Sequence, residues 1–204
     1  PDRINHLDPF RLGPWNREDS VACFMRLADY HGLNIEGDVA DAVYDALGIG
    51  IPHHVQSFFA RLRDFSVMQR RDSITVADVP EVYRSALLGP SGQNDLVHYE
   101  TRLKEGLEDD NYSIAMEILA EAATQGVFTA AGRRCLSDLY SPVLDNIRAR
   151  IVNTLNILVH DGYLEADADG NYRFPSRLLR DWWSARFRDH HKPLCERITG
   201  IGED

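Results

Sequence analysis

Apolar side chains recur three and four positions apart along most of this 204-residue chain and rarely alternate with polar ones. That spacing suits one face of an α-helix and not the two-residue repeat of a half-buried strand, so the fold must be built mainly from packed helices. Over residues 18–31 the apolar face is Val21, Phe24, Met25, Leu27 and Ala28, and Gly32 supplies the stop. Residues 38–47 repeat the pattern with Val39, Val43 and Leu47 before Gly48. Pro52 sits where a first-turn proline belongs, because its missing N–H would be unbonded there anyway, and Val55, Phe58, Phe59 and Leu62 follow on one face of a helix reaching about residue 67. Thr75 with Asp78 three positions on has the spacing of a capping box, and it opens a helix carrying Val79, Val82, Tyr83, Ala86 and Leu87 that stops at Gly89-Pro90. One more helix, over residues 94–107, leads to the acidic joint Glu108-Asp109-Asp110.

The second part follows a different plan. Residues 112–124 and 130–139 read as helices, and Ser141-Pro142 opens a long one with Val143, Leu144, Ile147, Ile151, Leu155, Leu158 and Val159 at helical spacing, closed by Asp161-Gly162. Two short extended runs, Tyr163-Leu164-Glu165 and Tyr172-Arg173-Phe174, flank a turn-rich hexapeptide of hairpin type. Three helices and then a two-stranded hairpin is the order of a winged helix. A last amphipathic helix over residues 176–190 carries Leu178, Leu179, Trp182, Trp183 and Phe187. The expected fold class is therefore mainly α: a helical bundle over residues 1–108, then a winged-helix unit over 109–204 with a small β-hairpin wing.

Charge divides the chain at nearly the same place. Residues 1–126 hold 11 Lys and Arg against 21 Asp and Glu, whereas residues 127–204 hold 11 of each, so the whole net charge of −10 lies in the first part. With 44% hydrophobic and 26% charged residues the chain can bury a core, and it has no apolar run long enough for a membrane span or signal peptide. A cytoplasmic protein is expected. Cys23, Cys135 and Cys195 are odd in number and far apart, which reads as free thiols in a reducing compartment. The doublets His53-His54 and His190-His191 point about 100° apart on a helix with no ligand at metal spacing, so no metal site is expected.

No GxxxxGK[ST] loop, GxSxG elbow or HExxH pair occurs, and the chain's only lysines, Lys104 and Lys192, follow no glycine-rich turn. Without a cradle of backbone N–H groups for phosphates, no catalytic residue is assigned. The most unusual segment is Gly48-Ile49-Gly50-Ile51-Pro52-His53-His54, a helix stop, a turn and a proline-led helix whose N-terminal dipole end faces outward. By spacing alone it is a tight interhelical connection.

Phe10-Arg11-Leu12-Gly13-Pro14-Trp15, followed by a helix, Gly32-Leu33-Asn34-Ile35, a second helix and Gly50-Ile51-Pro52, resembles the lid subdomain of AAA+/STAND ATPases. The tail resembles the winged helix that many of them carry: His160-Asp161-Gly162-Tyr163-Leu164, then Tyr172-Arg173-Phe174 and Arg177-Leu178-Leu179-Arg180-Asp181-Trp182-Trp183. The resemblance covers most of the chain. It implies that Gly50, Pro52, His53 and His54 approach a bound ATP or ADP, with Mg held by a P-loop core lying before Pro1. The place of a sensor arginine is taken here by His53 and His54. The chain alone is then no enzyme, although its parent is an ATPase, and no nucleotide binds tightly without the core. The implied partners are that core and a protein or DNA, with oligomeric assembly left open.

For DNA the long helix offers Arg148, Arg150 and Asn153, side chains able to reach bases or phosphates, whereas Asp167 and Asp169 at the hairpin tip repel phosphate. The final helix adds Arg177, Arg180, Trp182 and Trp183 as a partner face, with one tryptophan in the core and the other either left for a partner or packed against the lid as well. The alternative function is a stand-alone winged-helix transcriptional regulator that binds DNA.

Overall fold

The structure, a computed structural model, describes residues 13–199. Phe10, Arg11 and Leu12 of the lid-like segment lie outside them. The first part is built from α1 (Arg17–His31), α2 (Val39–Leu47), α3 (Pro52–Met68), α4 (Asp78–Val82), a π-helical turn (Tyr83–Leu87) and α5 (Pro90–Gly106). The second part follows with α6 (Asp109–Thr124), α7 (Ala130–Tyr140), α8 (Ile147–His160), α9 (Arg177–Phe187) and α10 (Leu194–Thr199). The fold is mainly helical, as the periodicity requires.

Strands occur among the described residues as two short pairs. β1 (Asn34–Ile35) runs parallel to β2 (Ser73–Ile74), clasping the ends of α1 and α3, a contact that the sequence reading missed. β3 (Glu165–Ala166) and β4 (Tyr172–Arg173) form the expected antiparallel hairpin. Asp167 shapes its tip by accepting from the N–H groups of Asp169 and Asn171 at 3.0 and 2.9 Å. Phe128 bridges to the other edge of Tyr172, exchanging both backbone hydrogen bonds at 2.9 Å.

Local chemistry explains the boundaries. Asn16 Oδ1 accepts from Asp19 N at 2.8 Å to start α1, and Gly32 at φ 64° ends it. Asp78 accepts from Thr75 N at 2.8 Å and pairs with Arg71 at 2.8 Å, so the expected Thr75–Asp78 link exists, though α4 itself begins only at Asp78. Burial works to raise the Asp78 pKa, but the hydrogen bonds from Arg71 and Thr75 outweigh it and hold the carboxyl below its ordinary value.

Three expectations need correction. Ser141-Pro142 does not open the long helix: Asn146 takes the left-handed conformation at φ 55°, which breaks the run, and Val143 is 73% exposed instead of lying on an apolar face. Cys135 and Cys195 are not free thiols. They form a disulfide with Cα atoms 5.2 Å apart, because α10, unforeseen in the sequence, folds back against α7. Neither tryptophan is left open, since Trp182 is 5% and Trp183 0% exposed, stacked edge-on at 4.6 Å with Phe174 and Tyr163 beside Trp183.

The expected joint falls at Glu108, between α5 and α6, yet the apolar core runs across it from Phe24 to Leu194. Helix α9 makes the seam, packing on α6 as well as on α2 and α5. Tyr163 Oη donates to the Tyr99 carbonyl at 2.8 Å and Arg186 pairs with Glu100 at 2.6 Å across the same seam.

Candidate functional site

The turn before α3 is built around a position that admits only glycine. Gly50 lies in an antiparallel bridge with Trp15, whose N–H donates to the Gly50 carbonyl at 2.8 Å. A Cβ at Gly50 would stand 2.3 Å from both Ser20 Oγ and the Trp15 carbonyl oxygen. The segment entering the bundle is thus laid directly on the Gly-Ile-Pro turn. Pro52 occupies the first turn of α3, and among the described residues no side chain caps that helix.

The two histidines have separate environments. His53 is exposed, with its ring 6.4 Å from that of His98. His54 is buried at 2% exposure, and its Nε2 shares a hydrogen bond with Tyr99 Oη at 3.0 Å, tying α3 to α5. Its Nδ1 has no partner among the described residues. Burial, followed by the neighbouring His53 and His98, pushes its pKa down to about 4, so at neutral pH it is an uncharged core imidazole. The cavity beside it, lined by His53, His54, Ser57 and Asp95, holds about 10 Å³, room for one water. A cavity of that size admits no nucleotide.

The C-terminal candidates divide sharply. Arg177 donates to the Asp45 carbonyl at 3.1 Å and packs its stem on Gly48, where a Cβ would come within 2.8 Å. Arg180 grips Asp181 at 2.7 Å, and Asp181 accepts from Tyr83 Oη at 2.9 Å. That burial and the Asp181 charge raise the Tyr83 pKa well above its ordinary value. Arg177 and Asp181 therefore join the two parts, and Arg180 is held against Asp181 on its own helix. Arg150 is engaged too, with Asn111 at 3.1 Å and Asp110 at 3.7 Å. Of the expected contact residues only Arg148 and Asn153 stand open, on an α8 face shared with Val152, Asn156 and His160 that carries no acidic side chain.

Sequence reasoning overlooked Arg133 and Arg134 on α7. Together with Arg148, Ser137, Asp138, Ile151 and Val152 they line a groove of about 560 Å³ between α7 and α8. None of the three arginines has a hydrogen-bond or ion-pair partner for its guanidinium among the described residues. Arg134 and Asp138 are four apart, the spacing of a surface helix pair, which hides the patch in the sequence. A second groove, of about 720 Å³ between α6 and α9, has Arg186 and Arg197 already paired with Glu100 and Glu117.

Among the described residues no group of three or more His, Cys, Asp or Glu could hold a metal ion, and no helix is long and apolar enough to cross a membrane. A scan against protein-family models finds no match, and a search of curated proteins finds no significant relative.

Proposed function

We propose that this chain is the lid and winged-helix portion of an AAA+/STAND-type ATPase, working in the cytoplasm, that reads nucleotide state through the turn at Gly50–His54 and docks a partner through its second part. The observation that carries the proposal is the Trp15–Gly50 bridge, which lays the segment entering the bundle on the proline-led turn of the third helix. The α6, α7, α8 and hairpin order, with Phe128 bridged to Tyr172, supports the winged-helix half. In this reading ATP or ADP and Mg sit in a P-loop core outside this chain, the lid closes with the nucleotide, and α9 makes the second part follow as a rigid body. His54 supports the turn from within, and Pro52 and His53 present the rim to the nucleotide.

Calorimetry with MgATP and a phosphate-release assay on this chain test the proposal. Neither micromolar affinity nor hydrolysis is expected, and either one alone overturns it. The second reading, a stand-alone DNA-binding regulator, draws on the open α8 face of Arg148, Asn153 and Asn156. It requires salt-sensitive duplex binding that depends on Arg148.

A further inference from the structure

The chain is acidic overall, yet the groove between α7 and α8 concentrates three arginines against one aspartate. The arginines elsewhere on the second part are mostly spent: Arg150, Arg173, Arg180, Arg186 and Arg197 all pair with carboxylates. Arg133, Arg134 and Arg148 have none among the described residues, although ion pairing is the usual fate of a guanidinium beside a protein of opposite charge.

The groove is not merely a charged rim. Ile151 is 1% exposed at its base and Val152 is 47% exposed on its wall, so a ligand meets apolar surface between the guanidinium groups. Arg133 and Ser137 lie one turn apart on α7, as do Arg148 and Val152 on α8, which gives each wall a cation at one end. A ligand that alternates carboxylates with apolar side chains matches both properties, and planar guanidinium groups grip carboxylates in a two-pronged fashion.

We infer that the α7–α8 groove is the docking site for an acidic amphipathic segment of a partner protein, with Arg133, Arg134 and Arg148 holding its carboxylates and Val152, backed by the buried Ile151, seating its apolar side chains. A nucleic acid duplex fits less well. The wing that follows α8 carries Glu165, Asp167 and Asp169, which disfavour the extended phosphate backbone of a duplex, whereas a short segment confined to the groove meets three arginines against Asp138 alone. The inference rests on the docking half of the function proposed above and names the partner's chemistry. It does not depend on nucleotide sensing.

The test is an NMR titration of the full chain, labelled at arginine side chains and at isoleucine and valine methyls. The probes are a pool of short synthetic peptides made of Glu, Asp, Leu and Phe, the matching pool with Lys in place of the acids, and a short DNA duplex. The acidic pool is expected to move the Arg133, Arg134, Arg148 and Val152 signals saturably, and the lysine pool and duplex to leave them in place. Replacing all three arginines by Gln should weaken the acidic pool by about tenfold or more, a loss of ~1.4 kcal/mol. Among the described residues these side chains have no hydrogen-bond partner, so an unchanged spectrum elsewhere reports that the variant is folded. No shifts with the acidic pool, binding that survives the triple replacement, or preferential movement by the duplex each overturns the inference. Failure here leaves the turn at Gly50–His54 untouched, whereas micromolar nucleotide binding or hydrolysis by this chain would count against the lid reading alone.

Discussion

Protonating His54 should cost the fold about 3 kcal/mol. In the folded chain the imidazole is 2% exposed and its pKa is pushed down to about 4, against 6.5 for a free histidine. At ~1.4 kcal/mol per unit, the difference amounts to roughly 3 kcal/mol. Because the folded value is the lower one, the unfolded chain takes the proton first. The stabilisation is fully present above pH 6.5, declines as the pH falls, and is all lost by about pH 4. The variant His54→Gln keeps a polar partner for Tyr99 Oη and does not titrate. Urea unfolding of both proteins from pH 8 to pH 4 isolates this residue, because Asp78 and the exposed His53 and His98 are common to the two. The native chain should lose roughly 3 kcal/mol more than the variant over that range. Parallel curves, differing by less than about 1 kcal/mol at every pH, would refute the placement of a neutral histidine between α3 and α5.

Other consequences follow from single contacts. Gly50→Ala forces a methyl to within 2.3 Å of the Trp15 carbonyl and should cost about 1–3 kcal/mol by thermal denaturation, with an unchanged midpoint contradicting the bridge. Cys195→Ser opens the 60-residue loop closed by Cys135–Cys195, and guanidinium unfolding should show a loss of up to about 4 kcal/mol relative to the oxidised chain. A reductant should then have no further effect on the variant. Tyr83→Phe removes the hydrogen bond to Asp181 and should cost about 1 kcal/mol, while Arg180 keeps Asp181 paired.

Except for the short α10, helices announced themselves because they carry their own apolar stripes and stops, as with Gly32 and Gly48, both at positive φ. Features made by distant residues were invisible. Neither Asn34–Ile35 nor Ser73–Ile74 reads as a strand, since two residues have no period and the pairing joins segments some forty positions apart. The Cys135–Cys195 bond likewise depends on α10 folding back on α7. For the candidate site, residue type singled out the Gly50–Pro52 turn, but the burial of His54 came from Tyr99 on another helix. Arg177, Arg180 and Arg150 looked available because a sequence shows charge without showing which carboxylate or carbonyl already holds it. Arg133 and Arg134 became notable only when α7 met α8.

Backbone-resolved NMR of this chain with ATP added to millimolar concentration tests the lid assignment most directly. The expected result is weak, non-saturating shifts confined to the amides around Gly50, His53 and His54, with no hydrolysis. Shifts that avoid this turn, or micromolar saturation anywhere in the chain, would contradict it.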